Sequence, residues 1–171
     1  PIQILTGYKE VLLTGDIFYI NGLRFLATKS RHIKFTTVQY LNTAKKEELF
    51  NAILVVKKLY RRRGLNVNSI LMDGQFSPIR HDLLGAQISF EPCSEDKHVG
   101  EIERMIRVIK ERVRGVYTTL PFQRLPPRMV VELAYSAIFW LNAFYPSSSV
   151  CGDLSPRTVM TGHTIDFNRN C

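Results

Sequence analysis

Three carboxylates stand out in this 171-residue chain because of the segments that carry them. Asp16 lies inside an apolar, β-rich run (VLLTGDIFYI), Asp73 ends another (VNSILMDGQF), and Glu103 comes early in a basic amphipathic stretch (HVGEIERMIRVIKERVRG). A carboxylate withdrawn from water without a partner is costly, so acids in such surroundings need a reason. Hard divalent cations such as Mg²⁺ take oxygen ligands, keep several waters and bind phosphate alongside carboxylates. Two such ions held by shared acids can activate an attacking oxygen and stabilise a leaving one during an in-line displacement. Rival chemistries lack their residues. Cys93, Cys151 and Cys171 form no CxxC pair, and His32, His81, His98 and His163 are scattered, which argues against a zinc site or a disulfide framework. Neither a Ser-His-Asp spacing nor a GxxxxGK phosphate loop is present.

The elements that must position these acids follow from hydrophobic periodicity. Residues 11–20 read as a strand, Asn21-Gly22 supplies a tight hairpin turn, and 23–28 resume the strand pattern. The β-branched and aromatic run 33–40 predicts a third strand. Asn42 or Thr43 is a candidate cap for a helix with Leu49, Ala52, Ile53, Val56, Leu59 and Tyr60 in period, ending at Gly64. Residues 67–72 are almost wholly apolar, as in a strand covered on both faces, and Asp73-Gly74 marks their end. A weak helical stretch over 78–84, a short strand over 87–91 and a polar loop with Glu95 and Asp96 lead to the Glu103 helix. Its apolar stripe is Ile102, Met105, Ile106, Ile109, Val113 and Val116. Pro126-Pro127 opens a last helix, to about Phe144, before Pro146 and an irregular polar tail. The result is an α/β domain with a mixed five-stranded sheet, a three-stranded antiparallel meander plus parallel strands, flanked by helices. If the fourth strand lies beside the first, Asp16 and Asp73 stand on neighbouring strands ~4.8 Å apart and repel unless cations hold them.

Twenty-three Lys and Arg against fifteen Asp and Glu give a net charge of +8, which favours a polyanionic partner. One cluster (Lys57, Lys58, Arg61, Arg62, Arg63) closes the first helix, where cations complement the helix dipole. The other (Arg104, Arg107, Lys110, Arg112, Arg114) begins at a helix start, where that explanation fails. At 100° per residue, Arg107, Lys110 and Arg114 point within about 40° of Glu103. A metal-binding acid would thus share a face with cations able to hold a phosphate backbone. No apolar run approaches the ~18 residues that cross a bilayer, and PIQIL has no signal-peptide pattern. Scattered cysteines fit a reducing, intracellular setting.

In the order of these elements and acids the chain resembles the catalytic core of retroviral-type integrases, in the branch of copia-like LTR retrotransposons. The resemblance rests on TGDIFYI with Asp16, LMDGQF with Asp73, GEIERMIR with Glu103, and the late LNAFYP and LSPRTVMTG segments. It implies a ribonuclease H-like fold and two Mg²⁺ or Mn²⁺ ions on Asp16, Asp73 and Glu103. The implied activity removes nucleotides from element cDNA ends and joins their 3′-hydroxyls to target DNA. Arg107 and Lys110 match positions that touch the DNA end, and Arg104 and Arg114 are expected to bind DNA with them. Only 30 positions separate Asp73 from Glu103, fewer than the family commonly has. Glu101 is therefore a neighbouring alternative, and Glu103 is preferred because Arg104 follows it. The resemblance spans a single core domain, 1–171, with a catalytic part at about 8–118 and a helical extension at about 119–171. It implies excision from a longer polyprotein, residence in the nucleus or a virus-like particle, and self-association through helices of the core. Two other readings stay open. A ribonuclease H-type nuclease usually needs a further acid on the first helix, which Glu47 or Glu48 could supply, and a late Asp, for which Asp153 and Asp166 in the irregular tail are not well placed. A decayed element would retain only a non-catalytic nucleic-acid-binding domain.

Overall fold

Alternation in the first forty residues produces an antiparallel meander. In the computed structural model, which describes residues 6–92, 99–144 and 154–166, it comprises β1 (Glu10–Ile20), β2 (Leu23–Ser30) and β3 (Thr36–Leu41). Asn21 and Gly22 turn the hairpin with φ of 50° and 79°, a conformation open to Asn and Gly. The helix α1 (Lys46–Arg61) then returns the chain to β4 (Asn66–Met72), which runs parallel to β1. A 3₁₀ turn (Gly74–Ile79) and α2 (Arg80–Gly85) lead to β5 (Ser89–Pro92), parallel to β4. The sheet order is β3-β2-β1-β4-β5. Three more helices follow: α3 (Val99–Thr119), α4 (Pro127–Ala143) and α5 (Pro156–Thr161).

Both sheet faces are covered. On one side Leu13, Leu26, Ile53, Val56, Tyr60, Val67 and Ile70 join a core closed by α1, α2 and α5. On the other, Phe18, Phe25 and Ala27 pack against Ile102, Ile106, Ile109 and Val113 of α3 and Ala134 and Ile138 of α4. Because β1 alternates with period two, its odd residues serve the first core and its even residues the second. Asp16 therefore faces the α3 side. Gly15 beside it is buried, and a Cβ there would stand 3.3 Å from Met72 Cγ, so a small residue lets β4 approach the acid-bearing strand.

The structure departs from the sequence reading at several points. The third strand begins at Thr36 rather than at 33, because Lys34 has a φ of 62° in a tight turn closed by Ser30 N–H to Phe35 O at 3.0 Å. Neither Asn42 nor Thr43 caps α1; Lys45 occupies that position without a side-chain cap bond. Leu59 and Val116 are exposed at 37% and 47%, so each is left out of its expected apolar stripe. The tail is not wholly irregular: Ser155 caps α5 by accepting Thr158 N–H at 3.1 Å, and Pro156 follows at its first position. Glu95, Asp96, Cys93, His98, Tyr145, Pro146, Cys151, Asp153 and Cys171 lie outside the described residues.

Candidate active site

The β1–β4 ladder ends at the pair Thr14 and Leu71, and both acids emerge just beyond it. Asp16 is two positions past Thr14, and Asp73 is the first residue after β4. Carboxyl ends of parallel strands are where open α/β sheets bind ligands, since the ladder stops and side chains are left facing a crevice. Asp73 also caps the 3₁₀ turn, accepting Gln75 N–H at 3.2 Å, which fixes its backbone where the chain leaves the sheet. The stripe of Ile102, Ile106, Ile109 and Val113 lays α3 across the sheet and brings Glu103 over the same crevice. A cavity of about 240 Å³ is lined by Asp16, Asp73 and Glu103 together, with Gly15, Gln75 and Ile102 among its walls.

The electrostatics agree with that juxtaposition. Burial pushes the Asp16 carboxyl above its ordinary range, and the charges of Asp73 and Glu103 push it further. The Ile17 N–H, 2.7 Å from Asp16 Oδ1, and the Lys110 ammonium pull the other way. Asp73 and Glu103 are exposed, Asp73 being restrained by its bond from Gln75 N–H. Among the described residues no group of three His, Cys, Asp or Glu side chains already converges on one metal-sized point. The three acids share a cavity rather than a preformed cage. By charge and oxygen content the set fits a hard dication.

The two glutamates of the α3 start have different surroundings. Glu101 accepts from Lys34 Nζ at 2.8 Å and pairs with Lys29 Nζ at 3.0 Å, both lysine side chains being largely buried. Burial raises its pKa, but the bonds from Lys34 and Lys29 outweigh that and leave it below the usual value. This carboxylate ties the first turn of α3 to β2 and the β2–β3 turn, while Glu103 lines the cavity. Arg104, Arg107, Lys110 and Arg114 are exposed along α3, and Lys110 is close enough to act on Asp16. The cation cluster closing α1 is partly structural: Lys57 Nζ donates to Ala86 O at 2.5 Å and Arg63 Nε to Val159 O at 3.0 Å. Glu48 accepts from Asn42 N–H at 2.5 Å, Thr43 N–H at 2.6 Å and the Thr43 hydroxyl, and is not among the residues lining the acid cavity.

Sequence reasoning missed the roles of Lys29, Lys34 and Gln75. Lys29 and Lys34 flank the β2–β3 turn as ordinary surface lysines do, and only the docking of α3 reveals their partner. Gln75, in the MDGQF run, sits two residues after the second acid, a position readable as part of the same crevice once Asp73 ends a strand.

No family model and no curated protein sequence matches the chain. Solved structures do. One is the crystal structure of the catalytic core domain of BIV integrase, at 14% identity and a TM-score of 0.63, covering 88% of this chain and 93% of that one. The chain has the mixed-sheet, ribonuclease H-like α/β fold of an integrase catalytic core.

Proposed function

We propose that the chain is a metal-dependent polynucleotidyl transferase core that processes and joins the cDNA ends of a copia-like retroelement into target DNA. The observation that carries this reading is the single cavity lined by Asp16, Asp73 and Glu103 at the end of the β1–β4 ladder. In this reading the three carboxylates hold two Mg²⁺ or Mn²⁺ ions, which when bound supply activation of an attacking oxygen and stabilisation of a leaving one. The protein's own part is orientation. Asp16 and Asp73 are set by the strand ends, Glu103 by the α3 stripe, and Arg104, Arg107, Lys110 and Arg114 hold the phosphate backbone along the helix. Lys110 moderates the negative potential at Asp16 while DNA is absent. Glu101 keeps the α3 start in place instead of binding metal. The core works as one domain of a longer polyprotein, in the nucleus or a virus-like particle. It self-associates through exposed aromatics such as Tyr135 and Phe144 on and just after α4.

Strand transfer of a labelled element-end duplex in Mg²⁺ tests this. Asp16→Asn, Asp73→Asn and Glu103→Gln should each fall to background, with circular dichroism unchanged, whereas Glu101→Gln should retain measurable product. Retained transfer by any of the first three variants removes that residue from the site.

One observation favours a second reading. Because the acids are not gathered around one point among the described residues, a nucleic-acid-binding domain without catalysis is the competing function. Calorimetric titration of Mn²⁺ in the presence of DNA separates the two: heat of binding that disappears in Asp16→Asn supports catalysis, and no heat in the wild type supports the binding domain.

A further inference from the structure

A second cavity, of about 370 Å³, is lined by Ile17 and Tyr19 of β1, Arg24 of β2, the start of α1 and the 3₁₀ turn after Asp73. It shares Ile17 and Gln75 with the walls of the acid cavity, so the two are neighbours at the end of the β1–β4 ladder. Its volume is within the ~300–1,000 Å³ of ordinary small-ligand sites. Two features of its lining point to one class of ligand. The first is Tyr19, which is 49% exposed although it belongs to the central strand of the sheet. Arg24 Nε donates to the Tyr19 hydroxyl at 2.9 Å, and the guanidinium carbon is 5.3 Å from the ring centroid. A ring held in place while half open to solvent is a ready stacking platform, since little freedom remains to be lost. The second feature is charge: Arg24, Lys45 and Lys46 line the cavity with no Asp or Glu. The nearby Glu48 carboxylate accepts from the N–H groups of Asn42 and Thr43 and its charge also acts on Arg24, while Asp82 reaches Lys46 only at 4.0 Å between exposed side chains, a weak pair, so the three cations still outnumber the acids around the cavity.

We propose that this cavity is a subsite for one unpaired nucleotide, with its base stacked on Tyr19 and its phosphate held by Arg24 and Lys45. An unpaired base is required because the faces of a base inside a duplex are covered by its neighbours, whereas an aromatic side chain stacks on any exposed base. Because Ile17 and Gln75 wall both cavities, a nucleotide held here would lie next to the acid cavity. The subsite therefore rests on the reading that the acid cavity acts on DNA, and it adds that the DNA is frayed or single-stranded beside the reacting phosphate.

The test uses a hairpin DNA with a short single-stranded overhang carrying 2-aminopurine, and the same hairpin with a blunt end, both in EDTA so that no cleavage occurs. The wild type should bind the overhang more tightly than the blunt end and change the 2-aminopurine emission by stacking. Tyr19→Ala should weaken overhang binding about tenfold, abolish that emission change and leave blunt-end binding alone. Tyr19→Phe, which keeps the ring, should retain the emission change. If Tyr19→Ala matches the wild type on the overhang while blunt-end binding persists, the subsite is wrong and the DNA reading stands. A wild type that binds neither hairpin overturns both.

Discussion

Asp16 is held in a charge environment that opposes its own ionisation. Its folded pKa is raised by burial and by the facing charges of Asp73 and Glu103, so the folded state binds a proton more readily than the unfolded chain. Below the ordinary carboxylate range near 3.8 the group is protonated in both states and exacts no penalty. As pH rises through the folded pKa the penalty appears and persists at neutrality. Asp16→Asn should therefore raise the melting temperature at pH 7, with the gain vanishing in acid, as differential scanning calorimetry across pH would record. Mg²⁺ or Mn²⁺ should raise the wild-type melting temperature and leave that of Asp16→Asn nearly unmoved, because binding to the folded state alone stabilises it. Glu101 is the opposite case, a carboxylate stabilised by two lysines. Glu101→Gln should loosen the α3 start and lower the strand-transfer rate about 10- to 100-fold through misplacement of Glu103. Affinity for duplex DNA should stay unchanged, and a rate equal to the wild type would deny Glu101 its positioning role.

At the scale of the element, α3 does two tasks with one period. Ile102, Ile106, Ile109 and Val113 are buried on the sheet, while Arg104, Arg107, Lys110 and Arg114 project from the rest of the helix. Burying those apolar side chains contributes about 1.5–3 kcal/mol each, which outweighs the few tenths that surface charge pairs supply and so decides the helix orientation. Replacing Arg107, Lys110 or Arg114 by Ala should reduce the slope of log affinity against log salt by about one for each phosphate no longer neutralised. Fluorescence anisotropy at several salt concentrations measures it, and the weakening should be the same for unrelated DNA sequences. An unchanged slope for all three would move the DNA path away from α3. The same periodicity makes this helix legible without a structure, and it also explains why Val116 falls outside the buried stripe. The stripe holds through Val113, and at the C-terminal end the half-buried position is Tyr117 rather than Val116.

Across the whole molecule, two helical layers and a five-stranded sheet hold the crevice open at one end. The sheet and the α3–α4 layer are joined by a polar clamp: Asn142 near the end of α4 accepts from Thr36 N–H at 2.9 Å and donates to Thr36 O at 2.7 Å, both residues being buried. Asn142→Ala leaves a buried N–H and a buried C=O unpaired, which should cost about 1–3 kcal/mol for each group left unsatisfied in urea-denaturation free energy. A smaller effect would mean that water reaches the clamp.

What the residues alone determined was the α/β class, the order of the elements and the segments bearing Asp16, Asp73 and Glu103, since period-two and period-3.6 patterns are local and survive without knowledge of neighbours. The tight turn at Lys34 is illegible because a β-branched run suggests a strand until backbone bonds claim it. The short helix at Pro156 has its start signal in Ser155-Pro156, yet its six residues are too few for a periodic pattern to stand out from a polar tail. Tertiary structure alone decided which carboxylates meet. Glu101 and Glu103 are two positions apart on one helix, and their chemistry diverges only because docking on β2 turns the first toward Lys29 and Lys34 and the second toward Asp16. The same holds for Tyr19 and Arg24, whose pairing depends on hairpin register. Long-range register and helix docking are set by the summed burial of many side chains, and no spacing within a single segment carries that sum.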